Sequence, residues 1–308
     1  MDCKHGHKHE DHHHEHHIEI KSLNTAFTVG IVLNLLFVAV ESLYGLITGS
    51  VGLLSDAGHN LSDVTSLILA MMAFRLARAK ATRNYTYGYK KSTILVSLTN
   101  AVLLVIAVIF IIKESIHKIF HPVDSAALGQ TIIWVAAAGI IVNGITAWFF
   151  LKDKEKDLNI KGAFLHMAAD TLVSASVVVS GIIIKITGWS VIDPLIGLLI
   201  AVAIVVSTWN LLSKSIRLAI DGVPGNIDID KVREAILSAG GVADCHHLHV
   251  WAISTTENAL TAHVVVDDIE AMESIKEEIK ARLAETGISH ATIEIESHDS
   301  HCRKTCEN

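Results

Sequence analysis

The stretch "SVGLLSDAGHNLSDVTSLILAMMAF", residues 50–74, is apolar along most of its length, yet it carries His59, Asn60, Ser62 and Asp63 in its interior. A charged group at mid-bilayer costs roughly 2.5–3.5 kcal/mol on insertion scales, so such residues need a compensating partner. A second copy of the spacing, "HMAAD" at residues 166–170, lies in another apolar run. His59-x-x-x-Asp63 and His166-x-x-x-Asp170 each place an imidazole and a carboxylate on one helix face, a turn apart. Brought together, the two faces offer two nitrogens and two oxygens, a tetrahedral set suited to Zn²⁺ and usable by Cd²⁺ and Co²⁺. Mg²⁺ prefers oxygen alone. The plainer alternative is interhelical hydrogen bonding. A single His/Asp pair leaves that alternative open, whereas the repeat in a separate apolar run argues for a metal.

The rest of the chain fits a membrane setting. Of 308 residues 51% are hydrophobic and 19% charged, and the mean hydropathy is +0.45. Six apolar runs long enough to span a bilayer lie near residues 25–47, 54–77, 93–112, 132–151, 162–186 and 191–212. The loops "RLARAKATRNYTYGYKK" (75–91) and "KDKEKDLNIKG" (152–162) hold most of the loop Lys and Arg, which places them, and with an even number of spans both termini, in the cytoplasm. No cleavable signal peptide is evident. Cys3, Cys245, Cys302 and Cys306 then all face a reducing compartment, where metal binding is a better expectation than disulfides.

The sequence divides into a His-rich tail (1–20), a six-helix transmembrane domain (21–213), a soluble domain (214–297) and a Cys/His tail (298–308). The first tail cannot form a core and reads as a weak metal binder. Its H-E-x-x-H and H-x-x-E-H matches are chance products of low complexity, because that chemistry needs a packed helix. The soluble part reads as helix 229–238, strand 243–254, strand 260–266, helix 271–285 and strand 291–297, an α+β domain of order αββαβ with two helices on one side of a small sheet. It gathers His246, His247, His249, His263, His290, Glu294 and Glu296. Strand alternation puts His247 and His249 on one face and His246 on the other, so one ion reaches all three only if the strand is bulged. Cys302 and Cys306, with His249, form a further, weaker candidate set.

Together "ESLYGLITGSVGLLSDAGHNLSD", "YTYGYKKSTILVSLTN", "HMAADTLVS", "DPLIGLLIA" and "DGVP" resemble the cation diffusion facilitator family, zinc-exporting branch, over nearly all of residues 20–297. The resemblance implies six spans, a metallochaperone-like cytoplasmic domain of ferredoxin type, a homodimer, and export of divalent metal in exchange for protons. It implies a transport site at His59, Asp63, His166 and Asp170, zinc rather than manganese as cargo because His59 stands first, and a cytoplasmic metal site at His246, His263, His290 and Glu296. The loop 75–91 contains neither Asp nor His, so the additional site some bacterial relatives carry there is not expected. The short loop before the fifth span favours a bacterial plasma membrane. Such a chain is a secondary transporter with zinc as substrate and as bound regulatory ion, and is not an enzyme. No Walker A pattern is present, consistent with a proton gradient as driving force. The rival readings are a membrane metal sensor or buffer without transport, an ion channel, and an intramembrane metallohydrolase. The last needs an open coordination position that four ligands would fill.

Overall fold

A computed structural model describes residues 20–48, 51–120, 130–189 and 191–298. The His-rich tail, Cys302 and Cys306 lie outside the described residues.

Six long helices come first: α1 (Ile20–Thr48), α2 (Val51–Ala77), α3 (Ser92–Phe120), α4 (Gln130–Leu151), α5 (Leu158–Thr187) and α6 (Ile192–Ala219). The shortest has 22 residues; at about 1.5 Å per residue it is about 33 Å long, enough for a hydrocarbon layer of about 30 Å. Thr25–Tyr44, Ser92–Phe120 and Pro194–Ala219 are apolar enough to cross a membrane on composition alone. α2 and α5 carry the His/Asp pairs and other polar groups, which lower their hydropathy. Large apolar side chains point outward along the helices, among them Leu36, Phe110, Trp148, Val206 and Trp209. Outward apolar surface on this scale belongs against lipid.

Inside the bundle, Phe27, Phe150, Ile160 and Met167 form a buried cluster joining α1, α4 and α5, the Phe27 and Phe150 rings lying 4.9 Å apart and tilted at 59°. Polar residues inside the spans join helices. Asn34 donates to Gly30 O at 2.9 Å and to Thr146 Oγ1 at 3.3 Å, and Asn60 donates to Glu41 Oε2 at 2.9 Å. Ser97 pairs with Ser215 at 2.9 Å between α3 and α6.

α6 ends where Asp221 enters the left-handed region (φ 59°) and Gly222 N–H reaches back to Arg217 O at 2.8 Å, an αL stop that satisfies that carbonyl. The C-terminal domain follows: α7 (Ile229–Leu237), β1 (Val242–Ala252), β2 (Asn258–Val266), α8 (Met272–Glu285) and β3 (His290–Glu296). Asp228 caps α7 by accepting from the backbone N–H of Asp230 and Lys231. Gly287 (φ 88°) supplies the turn after α8. The sheet order is β1-β2-β3, with β1 antiparallel and β3 parallel to β2. Val232, Ile236, Ile275, Ile279 and Leu283 of the helices pack on Cys245, Val250, Leu260, Ala262 and Val264. Both helices therefore cover one face of the sheet and leave the other open.

Candidate metal centres

In the bundle, α2 and α5 meet where Asp63 faces His166 and Asp170. Asp63, buried, places Oδ1 2.6 Å from His166 Nε2, and Asp170, one turn along α5, places Oδ2 3.7 Å from the same nitrogen. One ligand atom from each of Asp63, His166 and Asp170 lies within 4.8 Å of the others. Asp63 Oδ2 is buried without a hydrogen-bond partner among the described residues, the kind of oxygen a cation would satisfy. His59 stands on α2 one turn before Asp63; its side chain lies outside the described residues. On the side of the 152–157 loop, Ser66, Asn100, Gly162 and His166 line a cavity of about 10 Å³, room for one water.

The second cluster lies on the open face of the sheet. His263 Nδ1 is 2.6 Å from Glu296 Oε1, and His246 Nε2 is 3.4 Å from Glu296 Oε2. His246, His263 and Glu296 offer three ligand atoms within 4.8 Å of one another. His290, expected beside His246 and His263 with Glu296 as a further ligand, does not join them. The β2–β3 register pairs His263 with Glu294 and places His290 beside Ala259, four residues up the strand. At about 3.3 Å per residue that is about 13 Å away. His290 instead packs its ring edge-on against Tyr87 at 5.5 Å. Glu294 takes its place near the cluster, with Oε2 3.3 Å from His263 Nε2.

The expected alternation of the three consecutive-region histidines also fails, because β1 is bulged. Its register with β2 shifts between His246 and His249, and His247 has φ 50°. Cys245 and Val250 still point into the core and Leu248 packs against it, so His246, His247 and His249 all turn to the open face. Desolvation, then the neighbouring imidazoles of His263, His246 and His249, hold His247 below the usual imidazole range. Cys245 is buried among apolar side chains, and burial pushes its thiol up; it is a core residue and no ligand.

A third constellation, unanticipated from sequence, fastens the two parts together. Asp157, buried, caps α5: its Oδ1 accepts from Asn159 N–H at 2.6 Å and from Ile160 N–H at 3.3 Å. Its Oδ2 accepts from the Thr255 hydroxyl, in the turn between β1 and β2. Thr255 N–H donates to Thr93 Oγ1 at 3.1 Å at the start of α3, whose carbonyl accepts from Asn159 Nδ2 at 3.0 Å. Lys90 pairs with Glu257 at 2.5 Å, and Lys91 pairs with Asp221. Burial raises the Asp157 carboxyl above its ordinary range, against the opposing hydrogen bonds from Thr255, Asn159 and Ile160. The local signal was present: an Asp immediately before "LNI" is an N-cap pattern. The apolar run that marks the helix starts only at Gly162, past this cap.

A helical membrane bundle that gathers Asp63, His166 and Asp170, joined to a small α+β domain that presents a His/Glu cluster, fits a membrane transporter of metal cations. Comparison with known proteins agrees. Residues 27–218 match the cation efflux transmembrane domain and residues 224–298 match the cation efflux protein cytoplasmic domain. The chain is 37% identical over 283 residues to a cadmium, cobalt and zinc/H(+)-K(+) antiporter of Bacillus velezensis, covering 88% of this chain and 90% of the relative. It is 34% identical over 293 residues to the metal cation efflux system protein CzcD of Cupriavidus metallidurans, covering 94% and 90%. It is 31% identical over 268 residues to the zinc transporter ZitB of Escherichia coli, covering 86% and 85%. The chain belongs to the cation efflux, or cation diffusion facilitator, family. It is an integral membrane transporter that exports metal cations, and it is not an enzyme.

Proposed function

We propose that the chain exports Zn²⁺ from the cytoplasm in exchange for protons, with Cd²⁺ and Co²⁺ as further cargo. His59, Asp63, His166 and Asp170 form the site the ion passes through. The observation that carries this is the short Asp63–His166 contact beside Asp170. At 2.6 Å the Nε2···Oδ1 pair holds one proton between its atoms, whichever of them bears it. Zn²⁺ coordination by the same nitrogen and oxygen requires that proton to leave, because the metal takes neutral imidazole and ionised carboxylate. Metal and proton thus compete for the same lone pairs, which is the minimum an antiporter needs. With the site open to the cytoplasm, metal displaces the proton. With it open outward, incoming protons return to the imidazoles and carboxylates and release the metal. The names of the relatives, which include zinc transporter and cadmium, cobalt and zinc/H(+)-K(+) antiporter, support this cargo and coupling.

Six membrane spans, cytoplasmic termini, a bacterial inner membrane and a homodimer complete the proposal; the basic 75–91 loop and the family of the C-terminal domain support them. The cluster of His246, His263 and Glu296 would hold a regulatory Zn²⁺, supplying a fixed positive charge that ties β1 to β3. Cys302, Cys306 and His249 remain a candidate accessory set, the two cysteines lying outside the described residues. Zn²⁺ flux into liposomes containing the purified protein tests the coupling: an imposed pH gradient drives saturable flux if protons are exchanged. Non-saturating flux indifferent to the gradient would identify a channel, and no flux at all a sensor.

A further inference from the structure

We propose that His247 is the fourth ligand of the C-terminal metal site, closing His246, His263 and Glu296 into a four-coordinate His₃Glu centre. This rests on the reading of that cluster as a metal site.

The backbone carries the inference. His247 holds φ 50°, a conformation that residues with a Cβ adopt at a cost and that asks for a reason when a non-glycine occupies it. Its consequence is specific. In a regular strand His246 and His247 would face opposite sides. The bulge between His246 and His249 adds one residue to the open face without disturbing the core, since Cys245, Leu248 and Val250 keep their inward places. The added residue is an imidazole. Its ring centre stands 5.2 Å from that of His246 and 5.1 Å from that of His263, which are 5.4 Å from each other, so the three rings form a triangle beside Glu296. The His247 nitrogens lie outside the 4.8 Å group of the other three, and a turn of its side chain would bring one to the ion.

Three ligand atoms within 4.8 Å leave one tetrahedral position to fill. Three neighbours compete for it. Glu294 already sets its oxygen against His263 Nε2, and its side chain is 67% exposed. His249 is farther out, 6.5 Å from the His247 ring and exposed. His247 is the one whose position is held by the backbone itself rather than by a free side chain. Closure decides the role of the ion: a four-ligand site retains zinc as a resident part of the fold, whereas a three-ligand site keeps an open position for exchange. The ion held here is therefore a fixture of the domain and no stage in the path of transported zinc.

The test uses the full-length protein in detergent with Asp63→Asn and Asp170→Asn in the background, so that the bundle contributes little. Co²⁺ is the probe, read by the intense visible absorption of tetrahedral Co²⁺, and Zn²⁺ affinity is measured by competition against it. His247→Gly removes the ring while accepting the left-handed backbone, so the sheet remains folded. It should lower Zn²⁺ affinity by about 10-fold or more, the least expected when loss of even an outer partner costs that much, and weaken the tetrahedral absorption. His290→Ala, about 13 Å along the sheet beside Ala259, should change neither. Wild-type affinity and spectrum in His247→Gly would overturn the proposal while leaving a site at His246, His263 and Glu296. If His263→Ala also binds as wild type, the cluster is no metal site and both readings fall.

Discussion

Replacing Thr255 by Val tests how the C-terminal domain holds the helix that carries His166 and Asp170. The substitution keeps the side-chain shape and removes one hydroxyl. That hydroxyl donates to Asp157, whose other oxygen caps α5. Hydrogen bonds to charged groups contribute about 1.5–3 kcal/mol net, and a buried acceptor that loses its donor bears the desolvation cost. The neighbouring Lys90–Glu257 pair is about a third exposed on each side and adds at most about 1 kcal/mol. Thr255→Val therefore destabilises the junction by about 2 kcal/mol, a fall in melting temperature of about 4–8 °C at the usual 2–4 °C per kcal/mol for a domain of this size. Asp157→Asn retains capping ability but weakens the acceptor. The double variant should lose less than the sum, with a coupling of about 0.5–3 kcal/mol as for residues in direct contact.

The pH dependence has a definite sign. Burial raises the Asp157 carboxyl in the folded protein, so between the ordinary carboxylate range and that raised value the native state binds more protons than the unfolded chain. Stability from this group is present at low pH and is lost as pH rises through that window. Thr255→Val removes one opposing hydrogen bond, raises the carboxyl further and widens the window upward. Asp157→Asn abolishes this part of the slope. Thermal melts of the four proteins across pH decide the matter: zero coupling together with an unchanged pH slope would mean that Asp157 and Thr255 do not hold the domains together.

Other outcomes follow from particular contacts. A Cβ at Gly30 would lie 2.8 Å from Thr146 Cγ2, a buried methyl on the facing helix, so Gly30→Ala should destabilise the bundle by about 1–3 kcal/mol as overpacking does; an unaltered melting temperature would refute that close α1–α4 approach. His290→Ala should leave Zn²⁺ affinity of the C-terminal cluster unchanged and His263→Ala should abolish it, both read by calorimetry with the bundle site silenced. Equal losses would return His290 to the site.

Much of the architecture was legible because its signals are local. Long apolar runs mark the helices, the repeated His-x-x-x-Asp spacing marks α2 and α5, and Asp228 and Gly287 mark a cap and a stop in the C-terminal domain. Helix ends were less so. α3 runs on to Phe120 and α6 to Ala219 because "KESIHKIF" and "SKSIRLA" continue the helix with polar residues once the apolar run is over. The position of His290 depends on the β2–β3 register, which a single strand does not encode. The bulge at His247 is likewise invisible to a period of two, although the conflict it resolves, three histidines on alternating faces, was visible. Asp157 looked like one charge in a balanced loop; its importance arises only where Thr255, distant in sequence, arrives beside it.

The most direct test of transport through the paired His/Asp faces is Zn²⁺ flux into proteoliposomes under an imposed pH gradient, comparing the unaltered protein with Asp170→Ala. Exchange at these residues predicts saturable, gradient-driven flux that is lost in the variant while the protein remains folded and still binds Zn²⁺ in its C-terminal domain. Undiminished flux through Asp170→Ala would contradict it, since the ion would then cross the membrane by another route.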